Sequence, residues 1–177
     1  MNAIVVYESV WGNTAAVATA IAEGLGPDAR AYPTDGVPED QLAKAELIVA
    51  GSPVFGFSLP TERMRQSILR SEADAPTPAD LSHPSLRSWL DKLPAGRGHS
   101  AAFETRIWWS PRGATGTIEK RLSKLGYPPI GDAQKFVVRD KYGPLRDGEL
   151  ERAKSWGREL RRTLDATTAD SVAAPAR

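Results

Sequence analysis

Ser9-Val10-Trp11-Gly12-Asn13-Thr14 stands between a short apolar run and a stretch with an apolar residue every fourth position. These residue types suit the capture of an anion. A helix N-terminus presents unpaired N–H groups and a partial positive charge, and Ser9, Asn13 and Thr14 add short polar groups beside it. Gly12 lets the backbone approach a ligand closely. The loop has no Lys or Arg, so any binding here rests on amides and hydroxyls. A nucleotide-triphosphatase loop is Gly-rich and ends in Gly-Lys-Ser/Thr, and that motif is missing. So is the Gly-x-Gly-x-x-Gly of dinucleotide sites. Helix capping uses the same atoms, so Ser9 and Thr14 as plain caps stay an alternative.

Two later segments concentrate flat and apolar side chains. Ser52-Pro53-Val54-Phe55-Gly56-Phe57 follows the apolar run Leu47–Ala50. Phe55 and Phe57 suit either a ligand wall or ordinary core packing. The second segment, Glu104-Thr105-Arg106-Ile107-Trp108-Trp109, ends in adjacent tryptophans. One of them could stack on a planar ring, or both could form a hydrophobic plug or an oligomer contact. Arg106 is a cation two residues from Glu104, which makes a salt bridge its simplest use. His83 and His99 have no Ser or carboxylate partner in a triad arrangement, and two histidines without cysteine argue against a metal site. Asp132 and Asp140 read as turn and surface acids.

These segments need elements to hold them. Ala3–Tyr7 is apolar without polar alternation, as in a strand covered on both faces. Val17, Ile21 and Leu25 predict a helix that ends at Gly24, Gly26 and Pro27. Strands are predicted at 30–34, 47–50, 100–107 and 135–139, and helices at 38–45, 61–69, 84–93 and 117–125. A last helix carries Leu150, Ala153, Trp156, Leu160 and Leu164 on one face. The alternation predicts an α/β domain with a doubly wound, five-stranded parallel sheet and helices on both faces. For a sheet of that size the order 2-1-3-4-5 is a common solution. It places a ligand at the carboxyl ends of the strands, among the loops after strands one, three and four. One domain spanning 1–166 is expected, with an insertion at about 71–98 and a disordered tail at 167–177.

Val5-Val6-Tyr7-Glu8-Ser9-Val10-Trp11-Gly12-Asn13-Thr14, followed by Ala18 and Ile21, resembles the flavodoxin signature: a strand ending in an aromatic, then Ser/Thr-x-x-small-x-Thr entering a helix. The order of elements is similar over nearly the whole chain. The resemblance implies noncovalent binding of flavin mononucleotide (FMN), with Ser9, Val10, Trp11, Gly12, Asn13 and Thr14 around the phosphate. Glu8 would point away, because a carboxylate repels a phosphate. It also implies that Ser52, Pro53, Val54, Phe55, Gly56 and Phe57 flank the isoalloxazine ring. Glu104, Thr105, Arg106, Trp108 and Trp109 would take its pyrimidine edge and second face, with Glu104 or the Thr105 backbone accepting from N3–H. Arg106 departs from the acidic surround of electron-carrier flavodoxins, and a cation there would raise the flavin's potential. No side chain need act as an acid or base.

The chain has 177 residues, 41% of them hydrophobic and 25% charged, with a net charge of +1 and no cysteine. Electron-carrier flavodoxins are strongly acidic, and this chain is not. Residues 1–50 hold two basic and seven acidic residues, whereas 101–177 hold fifteen basic and ten acidic ones. The later charges alternate in sign, which fits a solvated helix face better than a nucleic-acid stripe. No run is long and apolar enough to span a membrane. The N-terminus lacks a basic n-region and a cleavage site, so no signal peptide and a cytoplasmic location are expected. The favoured function is electron transfer to or from a protein partner. An FMN-dependent oxidoreductase of quinone or protoporphyrinogen type, using a small-molecule electron acceptor, is the alternative. A flavin-less relative serving as a binding module is the third.

Overall fold

In the computed structural model, residues 2–71 and 75–173 are described. Five strands, β1 (Ala3–Tyr7), β2 (Arg30–Pro33), β3 (Leu47–Pro53), β4 (His99–Ile107) and β5 (Gln134–Val138), form one sheet of order β2-β1-β3-β4-β5. Every pairing is parallel, as in Ile4↔Ile48 and Ala50↔Ala102. The helices are α1 (Asn13–Leu25), α2 (Glu39–Ala43), α3 (Glu62–Ser71), α4 (Leu86–Lys92), α5 (Thr115–Lys124) and α6 (Glu149–Ala173). Topology and strand order agree with the prediction.

The continuous apolar character of the central strands has a direct cause. Successive side chains on a strand point to opposite faces, and here both faces are covered. Ala3, Val5, Leu47, Val49, Ala101 and Phe103 join a core with α1 and α6. Ile4, Val6, Ile48, Ala50 and Ala102 join a second core with α4 and α5. Each fully buried Leu, Ile or Phe contributes about 1.5–3 kcal/mol.

On the first face, α1 and α6 meet backbone to backbone. A Cβ on Gly24 would lie 2.1 Å from the Lys154 carbonyl oxygen, and one on Gly157 would lie 2.3 Å from that of Ile21. No side chain fits between them.

Two segments differ from expectation. The stretch read as an insertion at about 71–98 contains α4, whose Leu86, Trp89 and Leu90 are buried, with Leu93 just beyond, so its second half is a structural layer of the domain. The tail expected to be disordered from 167 continues α6 to Ala173, and residues 174–177 lie outside the described residues. Alanine is the strongest helix former, and no Gly or Pro interrupts the run before Pro175. No described helix is long and apolar enough to cross a membrane.

Candidate functional site

The loop after β1 enters α1 through Gly12, which sits at the N-cap with φ of 85° and makes no side-chain cap bond. That backbone conformation is open to glycine and costly for most other residues. Neither Ser9 nor Thr14 serves as a helix cap. The Thr14 hydroxyl instead meets the Thr105 hydroxyl at 2.7 Å, both buried. Two hydroxyls bonded to each other retain one further O–H to donate. Ser9 Oγ and Trp11 Nε1 are buried and have no hydrogen-bond partner among the described residues. Buried donors in native folds are nearly always paired, so two orphans beside the unpaired amides of a helix start point to an acceptor-rich ligand.

A cavity of about 230 Å³ opens at this point, at the carboxyl ends of the strands. Val10, Trp11, Asn13 and Thr14 line it from the first loop, Pro53, Val54 and Phe55 from the end of β3, and Thr105, Arg106 and Ile107 from β4. The Trp11 ring stands edge-on to Phe55 at 5.9 Å and to Tyr142 at 4.9 Å. Ile68 of α3 and Val138, Lys141 and Tyr142 at the end of β5 complete the wall. Sequence reasoning missed these four, because it drew the site from the loops after strands one, three and four only. The available signal was an aromatic and a cation directly after a strand.

Other residues named from the sequence do not face the cavity. Ser52 is fully buried and donates to the Pro53 carbonyl at 3.0 Å. Glu104 is fully buried too, but its carboxylate turns toward α5. Oε2 accepts from the amides of Ala114 at 2.6 Å and Thr115 at 3.0 Å, and Oε1 accepts from Arg106 at 3.0 Å. It thus acts as a remote cap of α5, which leaves the expected role toward a ring N–H without a free oxygen aimed at the cavity. Arg106 thus reaches the cavity wall paired with Glu104.

Glu8 points away from the first loop, as expected. Its carboxylate is bonded to Arg65 at 2.8 Å and to the Leu86 amide at 2.8 Å, with both ionic side chains 3% exposed. Arg65 Nη2 also donates to the carbonyls of Leu81 at 3.3 Å and His83 at 2.6 Å. The buried pair therefore fastens residues 81–86 to the end of β1. Among the described residues no group of three or more His, Asp or Glu could hold a metal ion.

Phe55 and Ser58 exchange backbone hydrogen bonds across a turn whose central residues, Gly56 and Phe57, have φ of 51° and 61°. Phe57 is the one described non-glycine residue with positive φ, and a bulky side chain is strained there. It is exposed and meets Trp109 edge-on at 6.0 Å. Trp108 and Trp109 are 66% and 55% exposed just beyond Ile107, so they stand outside the cavity. Phe57→Asn is expected to raise stability by about 1 kcal/mol, since Asn adopts the left-handed conformation readily. A urea midpoint that fails to rise would mean that the turn carries no such strain.

Comparison with known proteins bears on the fold. No protein-family model matches the sequence, and no curated protein matches it either. Among solved structures, a flavodoxin from the domain Archaea superposes with a TM-score of 0.64 at 23% identity, covering 93% of this chain and 99% of its own. A flavodoxin, WrbA-like protein from Agrobacterium tumefaciens gives 0.62 at 18%, covering 93% and 98%. Rubredoxin oxygen:oxidoreductase from Desulfovibrio gigas gives 0.62 at 16%, covering 96% of this chain but only 37% of that protein. The chain likewise spans 36% of the flavodiiron core from Synechocystis, at 19% identity and a TM-score of 0.61.

Proposed function

We infer, from a flavodoxin-like fold whose cavity is bordered by unpaired donors, that this chain binds FMN without a covalent bond and passes electrons to or from a protein partner. One observation carries the reading. Ser9 Oγ and Trp11 Nε1 are buried without partners beside the start of α1, in the loop that lines the cavity. The residues present fit the group: hydroxyls, an indole N–H and helix amides suit a phosphate, and the apolar slot of Val54, Phe55, Ile107 and Val138 suits a flat ring. Bound FMN would supply the electron chemistry itself. The chain would supply capture, orientation, exclusion of water and the local charge. Phe57, Trp108 and Trp109 form an exposed aromatic group beside the cavity, and exposed aromatics are frequent in protein contacts.

A second reading, an FMN-dependent oxidoreductase acting on a small molecule, draws on Arg106. This cation lines the cavity and would stabilise negative charge on the reduced ring, favouring two-electron chemistry.

The test is an FMN titration followed by anaerobic photoreduction and an NAD(P)H oxidation assay with a quinone acceptor. Tight FMN binding, reduction in two resolved one-electron steps and no turnover of NAD(P)H support the carrier. Binding with single-step reduction and rapid turnover supports the enzyme. No binding of FMN removes both.

Thr14→Val is expected to raise the Kd for FMN about tenfold while leaving the fold intact, because the variant removes a hydroxyl that lines the cavity at the start of α1 and the partner that orients the Thr105 hydroxyl. Fluorescence titration with thermal melting checks this. An unchanged Kd would take Thr14 out of the binding site.

A further inference from the structure

The loop between β5 and α6, residues 139–148, is placed by contacts with the first loop. Asn13 Nδ2 donates to the Tyr142 carbonyl at 2.9 Å, and the Tyr142 amide donates to Asp140 Oδ1 at 2.9 Å. The Tyr142 ring is thereby set at 81° to the Trp11 indole, with centroids 4.9 Å apart. Its hydroxyl is buried and has no partner among the described residues, like Ser9 Oγ and Trp11 Nε1. Three such donors close to one helix start match an anion with several acceptor oxygens better than a neutral ligand. The ammonium of Lys141 lies 4.5 Å over the Tyr142 ring and lines the same cavity. The loop therefore adds positive charge to a site whose first loop has none.

We propose that this loop is a phosphate latch: the Tyr142 hydroxyl and the Lys141 ammonium bind the terminal phosphate of the flavin nucleotide. The inference rests on the FMN reading above and deepens it. A phosphate monoester carries about −1.5 to −2 charge at neutral pH, so hydroxyl and cation act on the same group. Preference for FMN over riboflavin then arises from two loops far apart in sequence. The Asp140 carboxylate is engaged by the Tyr142 amide, which keeps that acid turned into its own loop.

The experiment is a fluorescence titration of the wild type, Tyr142→Phe and Lys141→Gln with FMN and with riboflavin, each at low and high salt. Circular dichroism and thermal melting confirm that the variants fold. Each variant is expected to weaken FMN binding about tenfold and leave riboflavin binding unmoved. Lys141→Gln should also flatten the salt dependence of FMN binding, because exposed charge attraction is screened by salt. A wild-type FMN-to-riboflavin ratio that survives in both variants overturns the latch and leaves the FMN reading standing. Equal losses for both flavins also overturn it, showing the loop to be a wall for the ring. A wild type that binds neither flavin overturns the latch together with the FMN reading.

Discussion

Replacing Arg65 by methionine is expected to destabilise the fold by about 3–5 kcal/mol, the usual cost of removing one partner from a buried ion pair. The reason lies in what the guanidinium holds. It faces Glu8 at 2.8 Å, with both side chains 3% exposed, and it bonds the carbonyls of Leu81 and His83. The variant keeps only the Leu86 amide on a carboxylate that stays sealed from water.

The loss has a pH signature. Burial already pushes the Glu8 carboxyl above its ordinary value of 4.5, against the opposing pull of the Leu86 amide and Arg65. Without Arg65 that upward shift grows. A carboxyl whose folded pKa lies above its unfolded one binds its proton more tightly in the native state. Its contribution to stability is then present at low pH and lost as pH rises through the folded value. The deficit of Arg65→Met should therefore be largest near neutrality and shrink on acidification toward the ordinary carboxylate range. Urea unfolding of both proteins at pH 7 and pH 5 measures it. A deficit of the same size at both pH values would mean that Glu8 does not titrate as this geometry requires.

Gly157→Leu is the second large effect, with an expected cost of about 3 kcal/mol from overpacking. A Cβ at this position meets the Ile21 carbonyl oxygen at 2.3 Å, and that atom belongs to the backbone of α1. Rotation of a side chain cannot relieve the contact, so α6 must move away from α1. Because α1 carries Asn13 and Thr14 at its start, the FMN affinity proposed for this chain should fall along with the denaturation midpoint. A variant as stable as the wild type would show that the two helices tolerate a wider spacing.

The parts legible from sequence were those written in local patterns. Ala3–Tyr7 is apolar throughout because both faces of β1 are buried, and the hydroxyl-rich loop after it is contiguous. What stayed hidden depends on contacts between distant residues. Nothing local tells that Glu104 reaches forward to cap α5, so its acid was assigned to the ligand. Lys141 and Tyr142 enter the cavity wall only because β5 lies beside β4 and α6 beside α1. Trp108 and Trp109 drew notice as a rare pair, yet their step past the end of β4 turns them outward. The Ala- and Thr-rich stretch after Ala166 read as a tail by composition, although nothing in it before Pro175 breaks a helix.

The hydrogen bonds that close the cavity span 91 residues, from Thr14 to Thr105, and 129 residues, from Asn13 to Tyr142. During vectorial synthesis the first loop therefore emerges long before its partners exist. A growing chain made at about 5–20 residues per second exposes that loop for several seconds before Tyr142 appears. On the FMN reading, cofactor loading is thus a late event in the life of each molecule. A chain terminated before β5 would carry the first loop without the Tyr142 carbonyl that Asn13 bonds.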